Sequence, residues 1–229
     1  MPKATFDAYS GSYEEALNRG ISVSGEDSTF FAHGRLQWLA RLLADRRVAP
    51  QSVLDFGCGV GNSLPLLREL LSAQHVAGID VSRESIATAR ERFPDADFEL
   101  ATCSELAARP RFDLAFCNGV FHHIPVDERI ANMQLVRQHL KPGGYFAFFE
   151  NNPLNPGTRY VMSRIPFDKD AVTLLPGHAR RLLRAAGFDV LLTHYLFFFP
   201  KRLAWFRALE PALSRVPLGA QYLVLARKF

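Results

Sequence analysis

Short apolar runs alternate with stretches of helical period along most of this chain. Val53-Leu54 runs into Asp55, and Leu64, Leu67, Leu70 and Leu71 then share one helical face. A second strand is expected from His75 to Ile79, ending at Asp80, followed by a helix through Ile86, Ala89 and Phe93. A short third strand falls at Ala96–Ala101 and a fourth at Phe112–Cys117, with an amphipathic helix from Asp127 to about Leu140 behind it. Lys141-Pro142-Gly143-Gly144 reads as a helix stop and turn, leading into a strand at Tyr145–Phe149 that ends at Glu150. A helix through Ala179, Leu182, Leu183 and Ala186 stops at Gly187, and the last strands are Phe188–Phe199 and Gln221–Lys228. In the insert between them, Pro200–Gly219, Trp205, Phe206 and Leu209 fall at helical spacing, which suits a subunit contact or a substrate wall, with core packing the default. Upstream, Phe6, Tyr9 and Tyr13 mark one helix and Phe30 to Leu43 a second, joined by a polar loop ending in a helix cap. Strand–helix alternation of this kind predicts an α/β fold with a largely parallel sheet.

Composition adds bounds. A chain of 229 residues fits one sizeable domain, here residues 50–229, with a small N-terminal helical piece, residues 1–49. The net charge of +4 is spread along the chain, which permits an acidic partner without demanding one. The three cysteines, Cys58, Cys103 and Cys117, are odd in number and lack metal-ligand spacing, so a reduced, cytoplasmic compartment and no metal are expected. No signal peptide precedes the first helix, and Val190–Phe199, interrupted by Thr193 and His194, is too short to span a bilayer. These features predict a soluble monomer or homodimer with neither a membrane nor a nucleic-acid partner.

The chemistry concentrates at Asp55-Phe56-Gly57-Cys58-Gly59-Val60-Gly61-Asn62, an acid followed by glycines spaced by single residues. Between a strand and a helix, such a turn lets backbone amides approach a nucleotide-like ligand where a Cβ would intervene. The dinucleotide fingerprint places its third glycine where Asn62 stands; here it falls at Gly61. A carboxylate at Asp55 would repel a pyrophosphate but suits a cationic ligand. On these residues the chain resembles the class I S-adenosylmethionine-dependent methyltransferases, whose first motif is an acid followed by Gly-x-Gly-x-Gly. The run Phe112-Asp113-Leu114-Ala115-Phe116, the His122-His123-Ile124-Pro125 turn and the Leu140–Gly144 turn extend the likeness. The resemblance implies a Rossmann-like, seven-stranded, mostly parallel sheet with an antiparallel last strand, helices on both faces and an N-terminal helical lid. It also implies S-adenosylmethionine as cofactor, S-adenosylhomocysteine as product, and a small-molecule acceptor of the kind found in natural-product or glycan biosynthesis.

Carried onto this chain, the cofactor set is Asp55, Gly57, Cys58, Gly59, Gly61, Asp80, Val81, Thr102, Cys103, Asn118 and Tyr13. Asp80, at the end of the second strand, sits where a ribose hydroxyl pair is held, and Ser82 is the better helix cap. At Ala101-Thr102-Cys103 the family's Gly-Asp-Ala acid is missing, leaving Thr102 and backbone amides for the adenine. His122, His123 and Glu150, in that order, are the candidate bases; adjacent turn residues usually point apart, so one histidine at most is expected in the site. Tyr9, Asn151, Asn152, Asn155 and Arg159 are the candidate substrate contacts. Other readings stay open: a catalytically silent S-adenosylmethionine-binding protein, or an NAD-dependent oxidoreductase using Asp80 without the matching glycine spacing. A metal-dependent O-methyltransferase would carry an acid where Asn118 stands, and an amino-directed DNA methyltransferase would carry Asn/Asp-Pro-Pro-aromatic there.

Overall fold

The computed structural model describes residues 13–101, 112–168 and 171–229. Helix α1 (Tyr13–Ile21) and a short 3-10 turn precede α2 (Ser28–Asp45), whose first turn is capped by the Asp27 carboxylate accepting from Phe30 N at 2.8 Å. Then come β1 (Ser52–Phe56), α3 (Leu64–Leu71), β2 (His75–Asp80), α4 (Arg83–Arg92), β3 (Asp97–Leu100) and β4 (Phe112–Asn118). The second half holds α5 (Arg129–His139), β5 (Leu140–Asn151), α6 (Pro156–Arg164), a 3-10 turn at Pro166–Asp168, α7 (Pro176–Ala185) and β6 (Phe188–Leu196). A 3-10 helix at Lys201–Leu209, the short α8 (Glu210–Leu213) and β7 (Gln221–Lys228) close the chain.

The strands form one seven-stranded sheet in the order β3-β2-β1-β4-β5-β7-β6. β7 runs antiparallel to both neighbours and the other described pairings are parallel, as expected. Both faces are buried because side chains alternate along each strand. Leu54, Phe146, Phe148 and Val224 pack under α5 and α7, whereas Val53, Leu114, Phe149 and Leu225 pack under α2, α3 and α4. Helix α2 gives this second layer Leu36, Leu39 and Leu43, so it belongs to the core of the sheet domain.

Two segments depart from the sequence reading. Lys141-Pro142-Gly143-Gly144 stays within β5; the register against β4 slips between Phe112 and Leu114, and Gly143 at φ +80° absorbs the irregularity. The insert after β6 does not pack into the core: no residue of Lys201–Leu209 is buried, and Trp205 is 74% exposed. Its tighter 3-10 winding, with Leu203 out of helical geometry, puts no apolar stripe against the domain.

The order reverses between β1 and β4, and the crevice outside their carboxyl ends is where an open α/β sheet takes ligands.

Candidate active site

At the end of β1, Gly57 N and Cys58 N donate to Ile79 O at 2.8 and 3.1 Å, joining the glycine turn to β2. Gly57, Gly59 and Gly61 all have left-handed backbone, at φ +75°, +53° and +80°. They differ in surroundings. A Cβ on Gly57 would lie 2.3 Å from Val120 Cγ2, and one on Gly61 would press on Phe93 and Phe98. A Cβ on Gly59 would meet nothing within 4 Å, so that glycine alone of the three faces open space.

Asp80 holds this opening from the β2 side. Its Oδ2 accepts from Gly59 N and its Oδ1 from Ser82 N, each at 2.9 Å, while the Ser82 hydroxyl caps α4 by accepting from Ser85 N. Asp55 is buried, and its Oδ2 has no hydrogen-bond partner among the described residues. Burial, reinforced by the Asp80 carboxylate and only partly offset by Ser63, pushes its pKa up to about 7. Asn118 Oδ1, at the end of β4, is also buried without a partner. A ligand bearing an ammonium and donor groups answers these acceptors, and the glycine turn supplies the backbone approach, so the residues present fit S-adenosylmethionine. Cys58 is buried, with burial holding its thiol well above the usual range, and Val81 is exposed directly after β2. Thr102, Cys103 and Tyr9 lie outside the described residues, as does the side chain of Tyr13.

The loop after β4 joins this cradle to a cavity of about 430 Å³. Asn118, Gly119, His122 and His123 line the cavity, and the Val120 side chain abuts Gly57. Both histidines face the same space, with ring centroids 4.0 Å apart, contrary to the expectation that one would point away. The cause is the tight turn at residues 120–123, in which the Phe121 and His122 amides converge on one carboxylate and His123 N donates to Val120 O. Glu150, at the end of β5, accepts at Oε1 from Phe121 N (2.8 Å) and His122 N (3.3 Å), while its Oε2 lies 2.7 Å from His122 Nδ1. Asp168 Oδ1 lies 3.5 Å from His122 Nε2 and 3.4 Å from His123 Nε2. Arg129 fixes the frame: its Nε donates to Ile124 O and its Nη2 to Val172 O, and Val172 N donates to His122 O.

Electrostatics separates the two histidines. Burial opposes charge on His122, but Glu150 and Asp168 outweigh it and raise its pKa to about 10. For His123 burial prevails, aided by the neighbouring His122 charge against the pull of Asp168, and its pKa is lowered. Burial also works against the Asp168 anion, yet the two histidines hold its carboxyl below the usual range. Neutral pH therefore finds a fixed imidazolium next to a neutral imidazole.

The rest of the cavity wall is largely apolar. Phe30, Phe31, Met162, Ile165, Phe167 and Phe197 dominate it. Phe197 sits at φ +62°, a strained conformation for a bulky residue, held by Phe31 at 4.9 Å and by Gly34, where a Cβ would strike the ring. Of the expected substrate residues, Asn151 and Asn155 line the cavity. Asn151 Oδ1 accepts from Gln221 Nε2, and Asn155 caps α6 through Thr158 N and donates to Leu218 O. Asn152 is fully buried and bonded to Pro217 O and Gly219 O, and Arg159 is exposed on α6; neither lines the cavity. Asp168, Gln221 and the Phe197–Phe199 run were missed by sequence reasoning as site residues. No local signal marks them, since they reach the site through chain reversals.

Known proteins agree with this geometry. A family model described as a methyltransferase domain matches residues 53–144. A trans-aconitate 2-methyltransferase of Rhodopseudomonas palustris strain BisB5 is 30% identical over 196 residues, covering 85% of this chain and 70% of that protein. Its counterpart in strain HaA2 is 30% identical over 171 residues, covering 75% of this chain but 60% of that protein, so this chain spans well under its full length. Among solved structures, an S-adenosylmethionine-dependent methyltransferase from Mesorhizobium loti shares the fold with a TM-score of 0.55 at 24% identity, covering 84% of this chain and 100% of that one. With an acid and glycine turn at β1, an acid ending β2 and this sheet order, the chain belongs to the class I S-adenosylmethionine-dependent methyltransferases.

Proposed function

We propose that this chain methylates a small molecule with an apolar body, bound in the cavity beside the β4 loop, and that His123 is the general base. The observation that carries this reading is the pair of histidines around Asp168, with Nε2 atoms 3.5 and 3.4 Å from its Oδ1, on a loop that touches both the glycine turn and the cavity. When bound, S-adenosylmethionine supplies an electrophilic methyl group on a sulfonium centre. Asp55, Gly59, Asp80 and Asn118 would hold it: a carboxylate for its ammonium, room beside the backbone, a second carboxylate for the ribose, and an amide oxygen.

The acceptor's hydroxyl or amine is oriented by Asn151 and loses its proton to His123, which Asp168 positions from its Nε2 side. His122, clamped between Glu150 and Asp168, does not exchange protons near neutrality; burial together with its positive charge keeps His123 neutral and so free of a proton at the start of the step. Residues 17–31, which contribute Leu17, Ile21, Phe30 and Phe31 to the wall, act as a lid that excludes water. Trans-aconitate, the acceptor named for the relatives, is a tricarboxylate, whereas the cations among the lining residues here are Arg35, which donates to Gln221, Arg207, paired with Glu26, and His122, held by Glu150 and Asp168. An aromatic or aliphatic natural product matches this wall better than a tricarboxylate or a glycan.

The test is calorimetric titration with S-adenosylhomocysteine and NAD, followed by mass spectrometry of an acceptor panel incubated with S-adenosylmethionine. Binding of the homocysteine compound, and methylation of apolar hydroxyl or amine acceptors lost in His123→Ala, is the expected result. Binding of NAD alone would overturn the reading of the glycine turn, and full turnover in His123→Ala would remove the base.

A further inference from the structure

The insert between β6 and β7 has two faces with different tasks. Inward, Phe199, Pro200 and Arg207 form part of the cavity wall. Arg207 latches the insert to the N-terminal region, with Nη2 2.9 Å from Glu26 Oε1 and the guanidinium 4.5 Å over the Phe30 ring. Outward, Leu203, Trp205, Leu209 and Leu218 are 40%, 74%, 52% and 58% exposed. Water is a costly neighbour for so many large apolar groups in one short stretch. Their charged companions are of one sign: Lys201, Arg202 and Arg215 are exposed, whereas the only acid between Pro200 and Gly219, Glu210, accepts from Phe198 N and Phe199 N.

We infer that this insert docks the protein on an anionic lipid bilayer, and that the acceptor is an amphiphilic lipid drawn from that bilayer into the cavity. The inference rests on the methyltransferase reading above and names the substrate class of the same site. Indole and leucine side chains settle at the level of the headgroups, and arginine and lysine beside them pair with lipid phosphates. Charge selects this surface: a ridge of exposed apolar groups flanked by cations alone matches an anionic interface. The same segment borders the cavity, so a lipid tail passes from the bilayer to the aromatic wall without crossing water, with its polar end toward Asn118 and His123. This departs from the expectation of no membrane partner; docking of this kind needs no membrane-crossing helix, and among the described residues none is long and apolar enough for that.

The experiment is flotation of the full chain with vesicles of phosphatidylcholine alone or mixed with phosphatidylglycerol, at low and high salt. Trp205 emission is followed in a Trp38→Phe background, because the chain has two tryptophans. Expected are flotation with the anionic vesicles only, weakened by salt, and a blue shift of Trp205. Lys201→Glu and Arg202→Glu should each lower the partition coefficient by about fivefold or more. With methyl-labelled S-adenosylmethionine and a bacterial lipid extract in those vesicles, label should enter the chloroform-soluble fraction, and Trp205→Ser should reduce it. Absence of flotation, or label entering trans-aconitate in preference to lipid, would overturn the inference. So would a concentration-dependent dimer in sedimentation that shifts Trp205 without lipid, which would make the ridge a contact between copies. S-adenosylhomocysteine binding, measured on the same samples, separates the two readings. Retained binding without flotation removes the membrane and spares the methyltransferase, whereas lost binding in wild type removes the methyltransferase itself.

Discussion

The proposed cofactor cradle is built from residues 55–63 and 80–82 with Asn118, and its shape is made mostly by backbone: three left-handed glycines, amides donating to Ile79 O, and one carboxylate receiving two N–H groups. The acceptor cavity draws on α1, α2, the β4 loop, the end of β5, α6 and the insert after β6, and its shape is made by side chains. A contiguous motif builds the first, and the fold has to be complete before the second exists. The difference lies also in how charge is kept. The cradle leaves acceptors at Asp55 and Asn118 without a partner among the described residues, whereas the cavity sets both of its buried carboxylates, Glu150 and Asp168, against the His122 cation.

The largest expected effect tests that internal neutralisation. His122→Ala leaves two carboxylates buried without their cation and should destabilise the protein by about 3–5 kcal/mol in urea unfolding. The pH dependence follows from the sign of the shift. The His122 pKa is raised from 6.5 to about 10 on folding, so its contribution is fully present below pH 6.5 and is lost as pH rises through about 10. Wild type should therefore lose stability over that range, and His122→Ala should not show this loss.

The next contrast is inside the cradle. Gly57→Ala meets both a left-handed φ and Val120 and should cost about 2–3 kcal/mol in stability. Gly59→Ala has only the φ to bear and should cost about 1 kcal/mol, yet it places a methyl where the ligand approaches and should lose S-adenosylhomocysteine binding. Equal stability losses, or normal binding by Gly59→Ala, would break the comparison.

Smaller is the effect of Asp55. Its folded pKa of about 7 lies above the ordinary carboxylate value of 3.8, so folding favours its neutral form and its contribution to stability declines as pH rises from 3.8 to about 7. A cationic ligand prefers the ionised form. Affinity for S-adenosylhomocysteine should therefore rise about tenfold between pH 6 and 8, and Asp55→Asn should flatten that rise in calorimetric titrations.

The same division explains what could be read from the chain. The strands and the glycine turn between β1 and α3 were within reach because short apolar runs and closely spaced glycines are local signals, whereas the mixed direction of the sheet came from the family resemblance. Ser82 was identified as the cap of α4 from its position alone, as the structure shows. The His122–His123 pair was visible as chemistry but not as geometry, because whether both rings face one cavity depends on Glu150 and Asp168, which arrive from separate elements. For Trp205, Phe206 and Leu209 the default of core packing failed for a related reason: helical spacing signals burial only if the segment has a surface to pack on, and this one lies outside the sheet's two layers, while Pro200 and Arg207 of the insert do line the cavity.

The central claim is that cofactor binding belongs to the backbone cradle and proton transfer to the histidine cluster, with little dependence of the first on the second. Titration calorimetry of S-adenosylhomocysteine with wild type, Asp80→Ala and His123→Ala tests it directly. The account predicts a loss of about tenfold or more in Asp80→Ala, from the missing charged hydrogen bonds, and wild-type affinity in His123→Ala. Wild-type affinity in Asp80→Ala, or an equal loss in both variants, would contradict it.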